Sequence, residues 1–128
     1  MVSAITKGVK ITVATHYQED YSQPLRNEYL FAYRITIENQ SELTVKLLRR
    51  HWYIFDSMGE YKEVEGEGVV GRQPVLEPGE SYSYTSGCNL QSAIGQMHGT
   101  YLMQDAQSER LFPVTIPEFQ LIAPLKLN

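Results

Sequence analysis

Between Tyr29 and Ile37 every second residue is large and apolar: Tyr29, Phe31, Tyr33, Ile35 and Ile37 alternate with Leu30, Ala32, Arg34 and Thr36. A period of two places one set on a single face of an extended chain, whereas a helix would scatter the same residues around its axis. The segment therefore reads as a strand. Its second face turns polar only towards its end, which places it centrally in a sheet. The pattern recurs at Val9, Ile11 and Val13, which alternate with Lys10, Thr12 and Ala14. From Val45 to Phe55, after the turn-like Asn39-Gln40-Ser41, Leu48, Trp52 and Ile54 fall on one face and Leu47, His51, Tyr53 and Phe55 on the other. Further strands are predicted at Tyr82 to Thr85, Gly99 to Gln104, Leu111 to Thr115 and Phe119 to Ile122, each bounded by Gly, Pro, Ser or Asp. Gln18 to Asn27 carries no apolar repeat and reads as a long loop. No window shows the period of an amphipathic helix.

Seven or more short strands without a helix predict an all-β fold, a two-sheet antiparallel sandwich of the immunoglobulin/fibronectin type III-like class. Trp52 sits about halfway along its strand, as the core tryptophan of such sandwiches does. The single cysteine, Cys88, rules out the inter-sheet disulfide of antibody domains, so type III-like packing fits better. A chain of 128 residues matches one core, and the whole of 1–128 is read as a single domain.

The segment from Gly66 to Cys88, GEGVVGRQPVLEPGESYSYTSGC, contains a G-x-G-x-x-G in a context that forbids its dinucleotide-binding use. That use requires the glycines to follow a strand and open a helix whose N-terminal amides hold a pyrophosphate. Here Gly71 leads to Arg72, Gln73 and Pro74, then to the Pro78-Gly79 turn and the alternating Ser81 to Tyr84. No room is left for the helix.

The same segment, with Gly68-Val69-Val70-Gly71, Gln73-Pro74, Leu76, Pro78-Gly79-Glu80 and Tyr84-Thr85-Ser86-Gly87, resembles the ApaG family, found in bacteria and as a domain in some F-box proteins. The resemblance runs without gaps from Tyr29 through Arg50-His51-Trp52 and Ile54 to Gly99, Tyr101, Met103 and Ile116-Pro117-x-Phe119-x-Leu121. Two departures are Ser92-Ala93, where the pattern has Thr-Pro before Gly95, and Pro113, where it has an acidic residue after Phe112. The resemblance implies the same sandwich fold. It also implies an association with cobalt and magnesium homeostasis, which this chain supports only as an indirect, regulatory effect, because no stretch is long and apolar enough to be a membrane helix.

A formal net charge of -4 leaves no Lys/Arg surplus for a phosphate backbone, so no nucleic-acid partner is expected. Arg49 and Arg50, the densest basic spot, read as a solvated face or a core-edge ion pair. One cysteine and the absence of a secretory pattern in MVSAITKG predict a reducing, cytoplasmic setting, with no membrane contact. His16, His51 and His98 are far apart in strand patterns. A Cys88 to His98 pair lacks an orienting group and a helix N-terminus, so no catalytic residue is assigned and Cys88 reads as a small packed thiol.

Three candidate sites follow. Gly66, Gly68, Gly71 and Arg72 could bind an anion through a nest of backbone amides beside a guanidinium. On that reading Gly68→Ala and Arg72→Ala both weaken the ligand while the fold survives; the structural alternative is a connection whose glycines permit positive φ or close approach. Arg72, Tyr82 and Tyr84 could line an interaction surface, the alternative being half-buried strand tyrosines. Glu63, Glu65 and Glu67 offer hard oxygen donors suited to magnesium, but three such residues at every second position also describe a charged strand edge.

Together these features predict a non-catalytic binding module for an unidentified protein partner, working as a monomer or homodimer and needing no cofactor beyond a possible Mg²⁺. The F-box occurrence supports it by analogy. The alternative is a sensor of pyrophosphate or a dinucleoside polyphosphate, which the family's gene neighbourhood beside diadenosine-tetraphosphate hydrolysis suggests.

Overall fold

The computed structural model describes residues 1–124, so positions 125–128 of the domain read over 1–128 lie outside the described residues. Among the described residues nine strands run in chain order: β1 (Val2–Thr6), β2 (Val9–Tyr17), β3 (Tyr29–Asn39), β4 (Val45–Asp56), β5 (Glu60–Glu67), β6 (Val75–Leu76), β7 (Ser81–Leu90), β8 (Ile94–Asp105) and β9 (Leu111–Ile122). The first sheet has the order β1-β2-β3-β7 and the second β5-β4-β8-β9, with β6 paired to the start of β4. Every pairing is antiparallel. The inner faces interdigitate around Ile11, Phe31, Ile35, Met97 and Tyr101, all but fully buried. In antibody constant domains the fourth strand joins the first sheet beside β7; here β5 stays with β4, the fibronectin type III-like arrangement.

The strand carrying Trp52 differs from its expected pattern. A bulge at Leu48 shifts the β4 to β8 register between Leu47 and Arg49, so the inward parity changes from odd to even along β4. Val45, Leu47 and Trp52 therefore all reach the core, although simple alternation placed Leu47 opposite Trp52. A second bulge merges the two strands expected at 111–115 and 119–122 into β9. Ile116 pairs with Gly99 and Phe119 with Met97, so Pro117 and Glu118 together face one residue of β8. Burial passes from Phe112, Val114 and Ile116 to Phe119 and Leu121 across that bulge.

The strands β7 and β8 run longer than predicted, β1 and β6 lie where no strand was predicted, and β5 is the charged strand edge that Glu63, Glu65 and Glu67 describe. The short β1 is turned back onto β2 by Lys7 and Gly8, both at positive φ. The loop read between residues 18 and 27 contains two single 3-10 turns, Glu19–Tyr21 and Pro24–Arg26.

Candidate functional site

Among the described residues the two sheets close on one side only. There β9 packs against β1 and β2, and the Thr115 N–H donates to Thr6 Oγ1 at 3.1 Å. On the other side β5 and β7, each the last strand of its sheet, leave a cleft of about 370 Å³. Trp52, Ile54, Leu90 and Met97 supply apolar lining, with Cys88 and Ser86 from β7 and Val64 from β5. Four charged residues also line it: Arg50, Asp56, Glu60 and Lys62.

Alternation after the Leu48 bulge explains the division of the Arg49-Arg50 pair. Arg49 points to the outer face, 3.9 Å from Glu67, while Arg50 points inward. The Arg50 guanidinium donates through Nη1 to the carbonyl oxygens of Glu67 (2.9 Å) and Gly68 (3.1 Å) and lies against Gly66. A Cβ at Gly66 would come 2.8 Å from Nη1, so glycine is what lets the guanidinium settle there. Among the described residues the salt bridges use Arg49, His51 and Lys62, and none provides Arg50 with a carboxylate. The cleft thus contains a positive group whose neighbours are carbonyl oxygens.

At the far end Asp56 is only 4% exposed. It accepts hydrogen bonds from the Met58 N–H (3.2 Å), the Gln91 N–H (2.6 Å) and the Ser92 hydroxyl (2.5 Å), tying β4 to the β7-β8 turn. Ser92 belongs to the Ser92-Ala93 departure from the family pattern, and its hydroxyl, a group that the pattern's threonine also carries, makes this bond. Burial alone would raise the Asp56 carboxyl, but the bonds from Ser92, Gln91 and Met58 and the charge of Lys62 together hold it below the usual carboxylate range. A depressed native pKa stabilises the fold above the unfolded value, near 4, and that contribution fades as pH falls through the native value. Asp56→Asn is therefore expected to lower Tm at pH 7 and to flatten the fall of Tm between about pH 5 and pH 2. An acid limb identical to that of the natural protein would contradict this role.

The glycine segment forms a hairpin rather than an open nest. Val70 and Gly71 both have positive φ between Val69 and Arg72, which exchange N–H to carbonyl bonds at 2.7 and 3.0 Å, the geometry of a type I′ turn. The Gly68 N–H donates to the bulged Leu48 carbonyl at 2.8 Å, so the amides of Gly68, Val69 and Arg72 are already committed within the chain. Arg72 is exposed at the turn. The expectation that Gly68→Ala leaves the fold intact does not suit this geometry. Gly68 has φ +63°, and a Cβ there would overlap the Arg72 carbonyl. Gly68→Ala should cost about 1–3 kcal/mol by urea unfolding, while Arg72→Ala stays within about 0.5 kcal/mol. Equal stability of the two variants would contradict the turn's dependence on glycine.

Tyr82 and Tyr84 share one face, as read, but it is the inner face of β7. Both are half-buried, and the Tyr84 hydroxyl hydrogen-bonds that of Tyr101 inside the sandwich. Burial pushes both of these hydroxyls above the ordinary phenol range. Tyr84 is thus mainly a packing residue, which moves the accessible surface from the tyrosines to the cleft beside them.

Glu63, Glu65 and Glu67 lie on the outer face of the edge strand β5. The sheet places His51 between the first two, its Nε2 3.1 Å from Glu63 and its Nδ1 2.8 Å from Glu65. His51, Tyr53 and His98 stack in a row beside them, with ring centroids 4.4 and 5.0 Å apart. Among the described residues no three His, Cys, Asp or Glu side chains converge to hold a metal ion. Sequence reading did not single out Arg50, Asp56, Lys62 or Val64 as site residues. The signal available was alternation, which places positions 62 and 64 opposite 63 and 65.

A family model described as the ApaG domain matches residues 19–105, which include β3 to β8 and hence both walls of the cleft. Protein ApaG of Brucella abortus (strain S19) is 47% identical over 124 residues, 97% of this chain and 95% of that protein. Protein ApaG of Paramagnetospirillum magneticum is also 47% identical, with the same coverage. A crystal structure from Bordetella pertussis named for an ApaA protein superposes with a TM-score of 0.88 at 40% identity, covering 92% of this chain and 95% of its own. A structural-genomics X-ray structure gives a TM-score of 0.86 at 41% identity, covering 98% and 95%. With its domain model, its curated relatives and its sandwich all in agreement, the chain belongs to the ApaG family.

Proposed function

We propose that this protein is a non-catalytic binding module that engages another protein through the β5/β7 cleft. The observation carrying this reading is the one-sided closure of the sandwich. A rigid scaffold leaves a cavity with apolar lining and a few charged groups between two strand edges, the kind of concave surface at which recognition concentrates. Cys88 fits a packing role, since burial pushes its thiol up to about 11 and suppresses the thiolate that nucleophilic chemistry requires. The link to cobalt and magnesium homeostasis then runs through the partner and not through a transport path. Phosphate sensing at Gly66 to Arg72 has less support, because three of that segment's amides already bond within the chain.

Val64 lines the cleft and is 39% exposed, so it can be changed without opening the core. Val64→Arg is expected to reduce co-purification of the natural partner at least about tenfold while moving Tm little, because charge placed in an apolar contact must be desolvated. Thr115→Arg, on the closed side, should leave co-purification intact. Equal recovery from both variants would count against the cleft.

A further inference from the structure

The four outer strands of the two sheets are protected very unequally. β1 has five residues, β5 carries Glu60, Lys62, Glu63, Glu65 and Glu67, and β9 carries Pro113, Pro117 and a bulge. Short length, charge, proline and bulges are the devices that stop an edge from pairing with another chain. β7, SYSYTSGCNL, spans ten residues with none of them.

The hydrogen-bond parity of β7 is fixed at both ends. The Asn39 N–H donates to the Glu80 carbonyl, so the odd residues of β3 face β7, and their even partners from Tyr82 to Leu90 reciprocate. The amides and carbonyls of Ser81, Ser83, Thr85, Gly87 and Asn89 are therefore directed away from β3. Gln91, in the turn that follows β7, also keeps its N–H off β3 and donates it to Asp56 of the opposite sheet. The five odd residues are all exposed. The even side chains Ser86, Cys88 and Leu90 form the adjacent cleft wall.

We infer that β7 accepts an additional antiparallel strand, an extended segment of another protein that carries a carboxylate side chain directed into the cleft. This deepens the binding-module reading and rests on it. A strand laid along β7 would send alternate side chains between β7 and β5. There they meet Ile54, Val64 and Trp52, and beside them Arg50 and Lys62. Arg50 has only carbonyl oxygens on Nη1, which leaves its other donors for a carboxylate. A second copy of this chain fits poorly. Its β7 brings no carboxylate, and two-fold pairing would bring together two β5 edges, each with four glutamates against one lysine.

The test uses the intact ¹⁵N-labelled protein and an acetylated, amidated nonapeptide of alternating threonine and valine with one glutamate at a valine position. The expected result is saturable amide shifts at Ser83, Thr85 and Gly87. Replacing the glutamate with lysine should weaken binding about tenfold. Of two peptides N-methylated on alternate amides, one should lose binding and the other keep it, because only one edge of a strand can pair. No shifts at millimolar peptide, or equal binding by both N-methylated forms, would overturn strand addition. So would the same shifts appearing with protein concentration alone, which would assign the edge to a second copy. Any of these outcomes alongside partner loss in Val64→Arg would leave the binding module standing and remove only the strand.

Discussion

Gly99→Ala is expected to destabilise the protein by at least about 3 kcal/mol, beyond the usual range of a single substitution. Gly99 pairs with Trp52 across β4 and β8, the central pair of the second sheet, and is itself buried. A Cβ at this position would overlap the His51 carbonyl oxygen and lie 3.2 Å from Trp52 Cα. Both obstacles are backbone, so rotamer changes cannot relieve them, and the two strands must separate. With a total stability of about 5–15 kcal/mol, a loss of this size removes much of the folded population's margin. Gly87→Ala is the matched control, because its Cβ would meet Phe31 O at an ordinary 3.5 Å. Urea midpoints should place Gly87→Ala within about 1 kcal/mol of the natural protein. A Gly99→Ala variant that unfolds at the same urea concentration would show that β4 and β8 have slack that the packing does not display.

Trp52→Ala should have the largest effect of any truncation, about 3–5 kcal/mol. The indole is 3% exposed. Its ring meets Tyr33, Phe119 and Tyr101 edge-on, at centroid distances of 5.3, 5.9 and 6.5 Å. Such contacts add about 0.5–1.5 kcal/mol per pair to simple burial. Trp52 also lines the cleft, so its loss enlarges the cavity while it weakens the core. Trp52→Phe, which retains a ring, should recover more than half of the loss. Calorimetry is the suitable readout, since Trp52 is the chain's one tryptophan and its fluorescence disappears with it. A Trp52→Ala protein that melts within a few degrees of the natural one would contradict the placement of Trp52 at the centre of the inter-sheet packing.

Alternation made the sandwich legible because each strand buries one face, and period two survives any arrangement of neighbours. It carried β2 and β3 from sequence to structure almost unchanged. It failed at Leu48 and at Pro117 because a bulge reverses parity without leaving a gap in the apolar pattern. Leu47 and Phe119 thereby reached the core from positions that simple counting sends outward. β5 was legible only in part, for a different reason: an edge strand whose even side chains face a cleft shows no apolar stripe. Its glutamates were read as a charged strand edge or cation donors, and only pairing with β4 brings His51 and Arg49 beside them.

The candidate site was less legible than the fold. It is built from Arg50, Asp56, Val64 and Cys88, which lie on three strands and are unremarkable one by one in sequence. The glycine segment attracted attention because a motif is local. Its structural use is to turn the chain beside β4 and to give Arg50 a flat surface at Gly66. Tyr84 was read as a possible surface residue because tyrosine suits both interfaces and half-buried strands. The partner that decides between them is Tyr101, seventeen residues away in sequence.

The most direct measurement is photo-crosslinking in living cells with p-benzoylphenylalanine placed at Val64 on the cleft, at Thr115 on the closed side or at Tyr61 on the outer β5 face. The binding-module reading predicts one discrete adduct of higher mass from Val64, none from Thr115, and loss of the Val64 adduct when Lys62 and Arg50 are both replaced by glutamate in a protein that remains folded. Adducts of equal yield from all three positions, or from Thr115 alone, would contradict recognition through the β5/β7 cleft.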